Sequence, residues 1–173
     1  MARVIIVLIL LTGAIAGGLL YYQQVYAYYE EVAYSPDAVV LTSLTSGQPE
    51  PLLVEDFDAI DAISSPLRYR ACFTTPISLA TLTETYVIID NPEPRVAPSW
   101  FDCFDAEQIG ADVRTEAIAF MGIENVTYGI DRIVAVYPDG RGYAWHQINA
   151  CGEVVFNREP VPEGCPTPPE SLN

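Results

Sequence analysis

The sequence predicts an α+β protein: a single N-terminal transmembrane helix, then a small antiparallel-sheet domain with one main packed helix and two disulfides. Three observations predict it. An uncharged apolar run, Val4 to Tyr22, opens the chain. The remainder carries short β-branched and aromatic segments separated by Pro, Gly and Asp turns, with one longer stretch at helical spacing. Four cysteines, an even set, lie in that remainder. Composition sets the boundaries: residues 1–34 form the anchor with an aromatic extension, 35–157 an acidic domain and 158–173 a proline-rich tail.

The run from Val4 to Tyr22 would be about 28 Å long as a helix, close to a hydrocarbon core of about 30 Å. Arg3 precedes it and Glu30 and Glu31 follow, so the positive-inside rule puts the N-terminus in the cytoplasm and the domain outside. The competitor is a cleaved signal peptide, with Val4 to Leu11 as its apolar region and Ala14-Ile15-Ala16 as an A-x-A site. A retained anchor is favoured because the apolar run continues through Leu19 and Leu20 into Tyr21 and Tyr22, an interfacial pair. Gly13 and Gly17 form a GxxxG pair, flanked by Ala14 and Gly18, a face on which another membrane helix could pack. Beyond it, Tyr22, Tyr26 and Tyr29 recur at helical spacing beside Tyr21, Val25, Tyr28 and Val32. This predicts an amphipathic continuation to about Tyr34, stopped at Ser35-Pro36.

In the domain, Ala38 to Leu44 reads as a strand ended by a Ser46-Gly47 turn, and Leu52 to Val54 as a short edge strand between prolines. Glu55 to Pro66 reads as a turn or short helix. Its Asp56, Asp58 and Asp61 lack the glycine and closing glutamate of a calcium loop. Leu67 to Thr75 alternates, with Leu67, Tyr69, Ala71 and Phe73 on one face and Arg68, Arg70 and Cys72 on a polar one. In so acidic a chain these arginines are expected to pair with carboxylates. An anion site is the alternative. Ile77 to Leu82 suggests a short helix, Thr85 to Ile89 a strand, and Asn91 to Trp100 a proline-broken loop. Asp105 and Gln108 resemble a capping box opening the main helix, which Ile109, Val113, Ala117, Phe120 and Met121 carry to a C-cap at Gly122. Tyr128 to Tyr137 and Gly142 to Asn149 form a hairpin about Pro138-Asp139-Gly140-Arg141, and Glu153 to Phe156 a last short strand. Within the hairpin Tyr143, Trp145 and Gln147 share one face, and Ala144, His146 and Ile148 the other.

Charge and residue types narrow the function. The eight basic residues are all arginine, against 23 acidic groups, for a net charge of −15. That excludes nucleic-acid binding and disfavours a polybasic contact with anionic lipid. Solubility or a salt-adapted proteome is the simplest source of the acidity, and attraction of a basic partner the narrower one. In an oxidising compartment Cys72, Cys103, Cys151 and Cys165 make two disulfides. Of three possible connectivities, Cys72–Cys103 and Cys151–Cys165 are expected, the second stapling the tail. The spacings lack the C-x-x-C of zinc or redox sites, and no serine sits in a nucleophile elbow. There is no phosphate-binding glycine loop. His146 is the only imidazole, and a lone strand histidine is more often packed than catalytic. No catalytic residue, metal or cofactor is therefore assigned. Asn125-Val126-Thr127 is a glycosylation sequon, relevant only to a eukaryotic secretory route.

The segments YYQQVYAYYE, SSPLRYRACFTTP, WFDCFDAEQIG and YGIDRIVAVYPDGRGYAWHQINACGE resemble an uncharacterised alphaproteobacterial family of short, N-terminally anchored proteins. The resemblance implies a bacterial inner membrane and a periplasmic domain, and no activity. The residues then point to a non-enzymatic accessory or assembly subunit of an inner-membrane complex, packed through Gly13 and Gly17. A respiratory complex is the natural candidate, because an acidic surface could attract a basic carrier such as a cytochrome c. The competing expectations are a ligand-binding protein or enzyme with His146, Trp145, Arg68 and Arg70 around a pocket, and a homo-oligomer held by the GxxxG face.

Overall fold

A computed structural model describes residues 2–170; Met1 and the last three residues of the proline-rich tail lie outside the described residues. The chain opens with α1 (Ala2–Tyr22), none of whose residues is buried. Its 21 residues span about 31 Å, enough to cross a bilayer. The helix does not continue to Tyr34. It widens into one π-helical turn, Gln23–Ala27, and ends. Glu30–Glu31 instead form β1, paired with Asp61 and Ile60 of β4. Capture by a sheet edge overrides the helical spacing of the tyrosines.

The domain is built on a six-stranded antiparallel sheet in the order β1-β4-β5-β8-β7-β6. The strands are β4 (Glu55–Asp61), β5 (Arg70–Thr74), β6 (Ile118–Thr127), β7 (Ile130–Val136) and β8 (Arg141–Ile148) beside β1. A two-stranded hairpin, β2 (Val40–Thr42) and β3 (Pro49–Pro51), lies on one face with α2 (Leu79–Thr85). The first core forms there, from Val39, Leu41, Leu52 and Leu82 against Ala71, Phe73, Phe120 and Val134. On the other face α3 (Ala106–Asp112) and the Ala97–Phe104 loop bury Phe101, Phe104 and Ile109 against Ile60, Met121, Ile133 and Trp145. Both faces are thus covered, and successive side chains of each strand enter different cores.

That two-sided burial corrects several expectations. Glu55–Asp61 is a strand, not a turn or helix: Ala59 enters the first core and Ile60 the second, while a bulge at Asp56 (φ 50°) lets the acidic residues face out. The main helix stops at Asp112, and Ile118 to Gly122 begins β6 instead. Phe120 fills one core and Met121 the other. Gly122 is no cap: a Cβ there would lie 2.9 Å from the Arg132 carbonyl of the neighbouring strand. Residues Ala150–Phe156 form α4, because the Asn149 side chain accepts from the Gly152 amide and caps it. Smaller shifts follow: the pairing edge is Pro49–Pro51, α2 begins after its Ser78 cap, and Thr85 to Ile89 makes only isolated bridges. Arg70, expected on a polar face, is buried.

The hairpin about Pro138-Asp139-Gly140-Arg141 stands as expected, with Gly140 at φ 89°. Asp105 caps α3 by accepting from the Glu107 and Gln108 amides. Both disulfides are Cys72–Cys103 and Cys151–Cys165. The first ties the Ala97–Phe104 loop to β5. The second, with Tyr128 Oη donating to the Pro166 carbonyl at 3.1 Å, holds the tail to α4.

Candidate functional site

The N-terminal helix meets the domain through aromatic side chains. A π-turn frees backbone carbonyls from the regular ladder, and Trp100 takes one of them: its Nε1–H donates to the Val25 carbonyl at 2.7 Å. The indole stacks on Tyr26 (centroids 6.1 Å apart) and meets Tyr29 edge-on at 5.8 Å. Tyr26 in turn stacks on Tyr22 at 5.7 Å and lies edge-on to Tyr21. All four tyrosines of the expected aromatic face thus converge on this foot. Trp100 was not singled out from sequence. Its signal was a lone tryptophan closing a proline-rich loop, where no core position calls for one.

Beside this joint lies a cleft of about 290 Å³, lined by Tyr21, Gln24, Tyr29, Arg68, Val96 and Ser99 among others. The Arg68 guanidinium lies over the Tyr29 ring, 5.4 Å from its centroid, and its buried Nη1 has no acceptor. Arg70 behaves differently. It donates to four backbone carbonyls, those of Leu67 (2.8 Å), Tyr69 (2.6 Å), Arg95 (2.6 Å) and Val96 (3.1 Å), and packs over Phe104. Burial pushes its pKa down to about 10, still protonated at neutral pH. Neither arginine pairs with a carboxylate. Among the described residues the ion pair is Arg141–Asp139, on the surface. Arg70 holds the loop that carries Trp100, since two of the carbonyls it gathers, those of Arg95 and Val96, lie five and four residues before Trp100.

His146 and Trp145 are neighbours on β8 and point into opposite faces, so the four residues expected around one pocket divide. Trp145 and Arg70 face the second core with Phe104, and Arg68 borders it at Tyr29. His146 lies on the first face, stacked on Tyr69 at 4.8 Å. Arg132, the register partner of His146, lies on the same face, 4.0 Å above the Tyr69 ring and donating its Nε–H to His146 Nε2 at 3.0 Å. Nε2 therefore accepts, and Nδ1–H donates to the Pro66 carbonyl at 2.6 Å. This is a neutral imidazole with both nitrogens bonded. Burial, then the nearby Arg132 charge, pushes its pKa down to about 4.

The small-residue face of α1 is bare: a Cβ added at Gly13, Gly17 or Gly18 would meet nothing within 4 Å, and Ala14 is exposed. A second cleft, about 480 Å³, opens between the Asn91–Arg95 loop and α4, with Glu93, Arg95, Asp131, Gln147 and Glu153 in its walls. The sequon residue Asn125 lies in the irregular stretch of β6 between Ile123 and Thr127, at φ 50°, its Oδ1 accepting from the Gly129 amide and from Asn149 Nδ2.

Taken together, the chain has an apolar N-terminal helix of membrane-spanning length, as an anchor or a signal peptide would, and a two-disulfide domain suited to an oxidising compartment. No curated protein and no solved structure matches it. A family model does match, from residue 39, just beyond the anchor and its tyrosines, to residue 166, just past Cys165: the chain belongs to the family of unknown function DUF6446.

Proposed function

We propose that the protein is a non-enzymatic accessory or assembly subunit of a bacterial inner-membrane complex, its N-terminus cytoplasmic and its acidic domain periplasmic. The observation that carries this reading is the mounting of the domain. Trp100 bonds the last turn of the anchor directly, so the domain holds a fixed pose beside a helix whose Gly13, Ala14, Gly17 and Gly18 face is unfilled. A fixed pose serves a subunit that presents one surface to a membrane neighbour. The only imidazole has both nitrogens bonded, and all four cysteines are in disulfides. The net charge of −15 favours a basic partner, such as a cytochrome c in a respiratory complex.

Purification of a C-terminally tagged chain in mild detergent tests the reading. Co-migration with a larger assembly, released by Gly17→Leu, is the expected result. Migration as a lone monomer at every detergent strength contradicts it, and a homodimer lost on the same substitution assigns the small-residue face to a second copy.

A further inference from the structure

We propose that the cleft at the foot of the anchor binds the phosphate of a phospholipid headgroup, with Arg68 as its anion-binding side chain. Four observations converge on it. First, Arg68 Nη1 is the buried guanidinium nitrogen without an acceptor among the described residues, whereas Arg70, Arg132 and Arg141 are all hydrogen-bonded. A buried cationic donor left unmatched is costly, and an anionic oxygen is the partner that relieves it. Second, no carboxylate lines the cleft, although the chain carries 23 acidic groups. The charged and titratable side chains in its walls are Arg68, Tyr21 and Tyr29, and Gln24 and Ser99 add neutral donors.

Third, the cleft lies at the right depth. This rests on the retained membrane span proposed above: the upper wall is Tyr21, in the last turn of the apolar helix, so with that helix across the hydrocarbon the floor of the cleft falls in the headgroup layer. Fourth, Val96 stands 82% exposed on the rim, beside Tyr21 and Ala97. An apolar side chain at that level suits the glycerol and upper acyl region of a lipid, and has no use to a free anion. The overall charge also disfavours capture of inorganic phosphate from solution, while a lipid is already held against the anchor. The phosphate is common to zwitterionic and anionic phospholipids, so the site needs no basic patch. It is independent of whether the protein joins a complex.

The test is native mass spectrometry of the full chain extracted in mild detergent, counting retained phospholipid on wild type, Arg68→Gln and Val96→Asp. Wild type should keep one phospholipid. Arg68→Gln should lower its occupancy about tenfold, the loss expected for one charge-assisted hydrogen bond. Val96→Asp, at an exposed position that leaves packing alone, should do the same by placing a carboxylate at the rim, so the test stands even where Arg68→Gln folds poorly. Equal occupancy in wild type and Val96→Asp overturns the proposal. So does displacement of the lipid by excess inorganic phosphate, which would assign the site to a free anion.

Discussion

Replacing Trp100 with alanine should uncouple the domain from its anchor without unfolding it. Across the joint the indole supplies one hydrogen bond to the Val25 carbonyl and two ring contacts, to Tyr26 and Tyr29; its third ring contact, to Phe101, stays within the domain. A net hydrogen bond contributes about 1 kcal/mol and each aromatic pair about 1 kcal/mol, so the joint loses about 3 kcal/mol. At about 1.4 kcal/mol per tenfold, local opening at the joint becomes roughly a hundredfold more frequent. Hydrogen exchange of the full chain in lipid nanodiscs reads this directly. The Tyr29 and Val32 amides, which bond the Tyr26 and Ala59 carbonyls, should exchange faster by that factor. The β7–β8 core, built around the fully buried Ile133 and Trp145, should be unchanged. Trp100→Phe, keeping the ring and losing the N–H, should fall between. Unchanged exchange at Tyr29 and Val32 in Trp100→Ala would refute the idea that this side chain sets the pose.

Three further outcomes follow from the buried polar groups and close backbone contacts. His146 titrates near 6.5 when unfolded and at about 4 when folded, so its contribution is complete above pH 6.5 and lost as pH falls toward 4. The shift corresponds to about 3 kcal/mol; urea unfolding at pH 7 and pH 4 should lose about that much more for wild type than for His146→Gln, and equal losses would contradict the assignment of a buried neutral imidazole. Arg70→Lys keeps the charge but cannot reach four carbonyls, so it should cost about 2 kcal/mol or more, read as a lowered Tm; a Tm within a degree of wild type would show that the fork geometry is dispensable. Gly152→Ala drives a Cβ into the Gly129 carbonyl oxygen and should cost about 2–3 kcal/mol by forcing α4 off the β6–β7 turn, whereas Gly164→Asn, in open space at φ 97°, should be tolerated far better on the same thermal melt.

Local signals were legible wherever one segment decided its own structure. The Pro138–Arg141 turn, the Asp105 cap, the apolar N-terminal helix and the short Cys151–Cys165 loop all belong to that class. What could not be read was the second cover on the sheet. Because both faces are buried, Ala117 to Gly122 is a continuous apolar run that fits a helix as well as a strand, and the preceding α3 made the helix the natural extension. The same cover turns the polar side of Leu67–Thr75 into a core, where Arg70 is satisfied by carbonyls from a loop 25 residues away. No periodicity reports such a loop. At α4 the β-branched Val154 and Val155 suggested a strand, while the decisive residue was the Asn149 cap. The site itself was half legible. The tyrosine row was legible as one aromatic face, but the residue it packs on, Trp100, lies 75 residues from Val25 and is joined to it only by the fold.

The anchor, the cleft and the small-residue face all require that the first helix stay attached. Intact-mass measurement of the mature protein from its native membrane tests this most directly. The account predicts a mass that retains residues 2–16, with four hydrogens fewer for the two disulfides. A mass lacking Met1 to Ala16 would contradict it, because the span would be gone and Tyr21 would no longer mark the edge of a bilayer.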